Sequence, residues 1–115
     1  MHELGLAANI LETVRAELAR RNGARAVKVE LRVGELAAVD RDSLTFCFDS
    51  LVKGSDLEPL ELSIDWRPHT RRCALCETVF EVADFNLACP HCASTDTRFA
   101  GGDELEIVCL ELEES

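Results

Sequence analysis

Residues 73–92 read CALCETVFEVADFNLACPHC: Cys73-Ala74-Leu75-Cys76 and Cys89-Pro90-His91-Cys92 form two CxxC pairs with twelve residues between them. Each CxxC turn bends two thiolates onto one ion, and a hairpin returning the second pair completes the tetrahedral four-sulfur shell that suits structural zinc. A redox dithiol or an iron–sulfur centre is the competing reading of the same cysteines. A closed shell has no vacant position for a reacting water, so the expected role is a staple. The apolar residues around it, chiefly Val79, Phe80, Val82 and Phe85, are too few to fold the lobe without metal. Arg71 and Arg72 are close enough in sequence to offset the negative charge of four thiolates. His91 lies inside the second knuckle, where four cysteines already fill the shell. His69 has no partner at ligand spacing and is expected to face solvent.

On either side of this segment the hydrophobic period changes. Leu4, Ala7, Leu11, Val14 and Leu18 recur at steps of three or four, the stripe of an amphipathic helix that ends at Asn22-Gly23. Val27, Val29, Leu31 and Val33 then alternate with Lys28, Glu30 and Arg32, a half-buried strand ending at Gly34. Asp40 fits the N-cap of a second helix, whose inner face carries Leu44, Cys47, Phe48, Leu51 and Val52 and which stops at Lys53-Gly54. Leu60, Leu62, Ile64 and Trp66 alternate as a second strand, halted before Pro68. Alternation returns at Leu105, Ile107 and Cys109. The expected class is α+β, two helices packed on a small three-stranded sheet with an inserted zinc-ribbon lobe. Residues 1–66 with 103–115 make the α/β domain, and residues 67–102 make the inserted four-cysteine domain. Cys47 and Cys109 fall on apolar faces and read as core.

The chain has 115 residues and a formal net charge of −10, which leaves room for one small body plus a stapled insertion. Residues 103–115 carry six acidic and no basic side chains. That balance repels phosphate backbones, so nucleic acid is not expected as a partner. No apolar run reaches the length of a membrane span. Glu3, Glu12 and Glu17 interrupt the first apolar stretch, so a secretory signal is not expected and the expected location is the cytoplasm, where cysteines serve as metal ligands more than as disulfides. No GxSxG, HExxH, P-loop or GxGxxG pattern occurs, so enzyme activity is not expected.

His2 follows directly on the chain's amine. The Met1 amine, a deprotonated His2 amide and the His2 imidazole form fused chelate rings that fill three corners of the tetragonal, nitrogen-rich geometry of Ni(II) or Cu(II). Glu3, Asp40 or another chain would supply the fourth donor. Imidazole binds metal only when neutral, so acid should release such an ion.

Met1-His2-Glu3, Val33-Gly34-Glu35-Leu36, the paired CxxC motifs and Gly102-Asp103-Glu104-Leu105 together resemble the hydrogenase-maturation nickel chaperones, HypA/HybF, over nearly the whole chain. The resemblance implies a metallochaperone that holds Ni(II) at its amino terminus and passes it, with a partner GTPase of the HypB type, to the large subunit of a nickel–iron hydrogenase. It implies His2 as nickel ligand, with the Met1 amine and Glu3, and Zn(II) held structurally by Cys73, Cys76, Cys89 and Cys92. Asp40 is an additional candidate, although its place as a helix cap explains it equally well. Leu4-Gly5 departs from the aromatic or methionine and the serine usual there. Monomer and homodimer both remain open. The alternative reading is a zinc-ribbon adaptor binding a protein or nucleic-acid partner; the formally neutral charge of residues 67–102 weighs against the nucleic-acid form.

Overall fold

A computed structural model describes residues 2–114. The chain runs α1 (His2–Ala19), β1 (Ala24–Gly34), a 3-10 turn (Glu35–Ala37), α2 (Arg41–Val52), β2 (Glu61–Arg67), β3 (Thr70–Cys73), β4 (Val79–Glu81), β5 (Thr97–Gly101) and β6 (Leu105–Glu114). The strands form two three-stranded sheets, ordered β2-β1-β6 and β4-β3-β5. This is the expected α+β class with two helices, a small sheet and a ribbon. Among the described residues, no helix is long and apolar enough to cross a membrane.

The described residues fall into two compact units. One comprises 2–32, 39–65 and 106–114, and the other 33–38 and 66–105. In the first, α1 packs on α2. Its core is Ala7, Ile10, Leu11 and Val14 from α1, Val29 and Leu31 from β1, and Leu44, Phe48 and Val52 from α2. Burying each of the larger side chains contributes about 1.5–3 kcal/mol. Asp40 caps α2 as its spacing predicts, its Oδ1 accepting the Ser43 amide at 3.0 Å. Gly54 closes the helix's exit at φ +77°, where a Cβ would be strained.

The buried stripes depart from the sequence pattern at their margins. Leu4, in the first turn at the edge of the α1 stripe, is 46% exposed, and Ile10 takes an inner position instead. On β1 the buried residues are Ala26, then Val29, Leu31 and Val33. Val27, which the alternation places among them, is only half-buried. Cys47 is half-buried and Leu51 exposed, so α2 presents a narrower face than the pattern suggests.

β6 runs antiparallel to β1. The Gly34 amide donates to the Glu104 carbonyl at 2.7 Å, while Arg25, near the other end of β1, pairs with Glu113. Ile107, Leu110 and Leu112 line the same groove against α1. Between Ile107 and Leu110 the alternation slips by one, which turns Cys109 outward, exposed and not in the core.

In the second unit β3 is central. It pairs with β4 in the register Arg71↔Phe80 and with β5 in the register Arg71↔Phe99 and Cys73↔Thr97. The core of this ribbon is Cys73, Phe80 and Cys89, with Cys76 and Val82 packed against them. Val79 and Phe85, expected to fill the lobe, are exposed, Phe85 at 99%.

Candidate metal centre

Cys73 closes β3, and Cys76, Cys89 and Cys92 follow on two turns built alike. In the first, the Glu77 amide donates to the Cys73 carbonyl at 3.0 Å and the Cys73 amide to the Thr78 carbonyl at 2.9 Å. In the second, Ala93 donates to the Cys89 carbonyl at 2.8 Å and Cys89 to the Ser94 carbonyl at 2.9 Å. Glu77 and Ala93 occupy matching left-handed positions, φ 62° and 65°. Each turn also points an amide at its first sulfur, Cys76 to Cys73 Sγ at 3.5 Å and His91 to Cys89 Sγ at 3.4 Å.

The four sulfurs lie within 4.8 Å of one another. Tetrahedral zinc with bonds of about 2.3 Å sets its sulfurs roughly 3.8 Å apart. Here Cys73 and Cys92 stand 3.5 Å apart and Cys76 and Cys89 3.6 Å, so the donor set fits a metal such as zinc. Four sulfurs gathered around a common centre also explain why two cysteines are buried in a lobe with little else inside.

The cluster is not electrostatically uniform. The Thr78 hydroxyl, aided by the Thr78 backbone amide, lowers the Cys76 thiol to about 6. At Cys92 the Ser94 amide favours the thiolate, but the crowding Cys73 thiol, burial and the other two cysteines outweigh it and push the thiol up to about 12. In the folded ribbon these environments favour the thiolate at Cys76 and the thiol at Cys92. Metal binding must displace the Cys92 proton, so affinity rises with pH.

Thr78 and Ser94 were not singled out from the sequence, although the signal is present: both halves read C-x-x-C-x followed by a hydroxyl residue. Thr97 is a third hydroxyl residue of the lobe, outside that pattern. Buried at 7% exposure, it donates through Oγ1 to the Leu87 carbonyl at 2.7 Å and accepts from Arg71 Nε at 2.9 Å. The Arg71 guanidinium is thereby committed to bracing β5. His91 is exposed, consistent with a loop role. His69 does not face solvent as expected: its Nε2 is buried without a hydrogen-bond partner and its ring lies 5.8 Å from that of Phe99.

At the other candidate site, His2 and Glu3 open α1, with His2 exposed; Met1 lies outside the described residues. Glu3 and Asp40 are brought together, the Asp40 amide donating to Glu3 Oε2 at 3.2 Å. The Asp40 carboxylate itself is engaged by Ser43. Replacing Asp40 by alanine should therefore cost about 1 kcal/mol in denaturant unfolding, while Asp40→Asn, which keeps the acceptor, should cost a few tenths.

Comparison with known proteins agrees with this architecture. The family described as "Hydrogenase/urease nickel incorporation, metallochaperone, hypA" matches residues 1–112. The chain is 36% identical to a hydrogenase maturation factor HypA from Roseiflexus sp., covering 99% of this chain and 94% of that one. It is 33% identical to HybF from Salmonella typhimurium, over 98% and 100%. Its fold is similar to the solution structure of the nickel metallochaperone HypA from Helicobacter pylori, with a TM-score of 0.62 at 24% identity and complete coverage of both chains. The sequence motifs, the four-sulfur cluster and the match along the chain have one explanation: this protein belongs to the HypA family of nickel metallochaperones acting in hydrogenase maturation, carriers of metal and not enzymes.

Proposed function

We propose that this chain carries Ni(II) at its amino terminus through the Met1 amine and His2, with Glu3 beside them. We propose further that it delivers the ion, together with a partner GTPase of the HypB type, to the large subunit of a nickel–iron hydrogenase. Zn(II) held by Cys73, Cys76, Cys89 and Cys92 stays behind as the fold's staple. The observation that carries the reading is the position of His2 at the exposed start of α1 in a chain whose family incorporates nickel. The first amides of a helix have no intrahelical acceptor. Those of His2 and Glu3 are thus free to ligate without breaking the helix ladder. A site at an exposed end also allows release, which a carrier needs as much as capture. Asp40 serves first as the cap of α2, and its part in nickel binding is at most through its contact with Glu3.

Nickel titration of zinc-loaded protein tests this, comparing the native terminus with His2→Ala and with a chain extended by one glycine before Met1. The native chain should bind about one equivalent of nickel, lost in both variants while zinc content is unchanged and lost reversibly on acidification. Equal binding by all three would refute the terminal chelate.

A further inference from the structure

β6 is an edge strand, with β1 on one side and no strand on the other among the described residues. At about 3.3 Å per residue, Leu105–Glu114 presents roughly 30 Å of edge. Exposed edges are normally guarded by charged side chains, lysine above all, by proline or by short length, and the charges along β6 are all acidic. Residues 103–115 contain no Lys, Arg or Pro. Between this strand and α1 lies a groove of about 210 Å³ whose apolar lining is Val14, Val29, Ile107, Leu110 and Leu112, with Thr13, Glu17 and Arg21 also on its wall. Because Ile107, Leu110 and Leu112 face the groove, their neighbours Glu106 and Glu111 point to the opposite face of the sheet, where both are exposed. Glu113 shares that side and is already paired with Arg25.

We propose that the free edge of β6 accepts an extended, basic segment of a partner protein as an added strand, in which apolar side chains alternate with lysine or arginine. Strand addition supplies main-chain hydrogen bonds, and pockets for alternate side chains supply selectivity. Here the groove takes the apolar set, and Glu106 and Glu111 meet the basic set on the other face. Charge decides the occupant. A second copy joined through β6 would set these glutamates against one another, and like charges on paired strands are destabilising. Anionic lipid and nucleic acid are repelled for the same reason.

The test uses the full zinc-loaded chain and a short peptide alternating valine with lysine, followed by amide hydrogen exchange and NMR shifts. The peptide should protect β6 amides, whereas one of the same composition with valines and lysines segregated should not. Glu106→Lys with Glu111→Lys should weaken binding about tenfold and transfer the preference to a valine–glutamate peptide. Equal binding of the segregated peptide, protection away from β6, or indifference to the charge reversal would each overturn the proposal. So would concentration-dependent protection of β6 without peptide, which assigns the edge to a second copy. None of these residues belongs to the amino-terminal nickel site, so the nickel titration and this one succeed or fail independently.

Discussion

Stripping the metal, or replacing Cys73 or Cys89 by serine, is expected to unfold β3, β4 and β5 while the helical signals of α1 and α2 persist. The reason is how little apolar material the ribbon contains. Phe80 is its one large buried side chain, with Val82 partly buried, while Leu75, Val79, Phe85, Leu87 and Phe99 are all exposed. Burying one phenylalanine contributes about 3 kcal/mol at most, whereas ordering each residue costs about 1–2 kcal/mol. The deficit falls to the metal: apparent binding free energies of structural zinc are on the order of 10 kcal/mol, and in such lobes they are folding free energy. Amide dispersion and exchange protection of β3–β5, read beside zinc content, check this. A ribbon that stays dispersed and protected after chelation would sink the staple reading.

The same experiment has a pH dependence of determined sign. The Cys76 thiol is depressed, so its ionisation contributes stability above its ordinary range, and this is lost as pH falls through about 6. The Cys92 thiol is raised, so its protonated form contributes below its ordinary range, and this is lost as pH rises toward 12. In the fraction of metal-free chain that keeps the ribbon folded, Cys76 is thus alkylated faster than Cys92 near neutral pH. Zinc uptake, which needs both ionised, strengthens with rising pH through neutrality.

The helices, the sheet and the sulfur cluster were legible because each is written in a short-range code. A stripe at steps of three and four, alternation along a strand and a CxxC spacing all lie within a few residues of themselves. What the sequence hides is long-range. Ala26 is buried more deeply than Val27, and Cys109 turns out to solvent, because burial along a strand is set by what packs over each position, and that leaves no mark in the local pattern. His69 offered no ligand spacing and so read as a surface residue. Its buried Nε2 depends on Phe99, thirty positions away, and its backbone amide is held by Glu35 Oε1 at 2.9 Å, from the far side of two elements. At the amino terminus the sequence did not show that Asp40 lies beside Glu3, since the Asp40 amide makes that contact across the loop leading into α2.

Gly34→Ala should be among the most damaging single changes in the protein, destabilising the second unit by about 3–5 kcal/mol, although it adds one methyl to a strand end. Val33-Gly34-Glu35-Leu36 and Gly102-Asp103-Glu104-Leu105 are laced together: the Gly34 amide donates to the Glu104 carbonyl and the Leu36 amide to the Gly102 carbonyl, both at 2.7 Å. A Cβ on Gly34 would meet the Gly102 carbonyl carbon and oxygen at 2.2 Å and the Asp103 nitrogen at 2.6 Å. All three are backbone, so no side chain can swing aside. Gly34 has φ −86° and ψ 151°, an ordinary extended conformation, so space and not backbone freedom demands glycine here. Relief cannot come from moving Gly102 either. It sits at φ +120°, and its own Cβ direction points at the His69 backbone, 2.6 Å from Cα. Gly5→Ala is the matched control, because nothing lies within 4 Å of the added methyl on exposed α1 and helix propensity improves by up to about 1 kcal/mol. Urea unfolding followed by Trp66 fluorescence for the second unit and by helical circular dichroism for the first reads both. Opposite signs are expected for one and the same chemical change. A Gly34→Ala chain within about 1 kcal/mol of the parent would mean that the two motifs are not packed backbone to backbone.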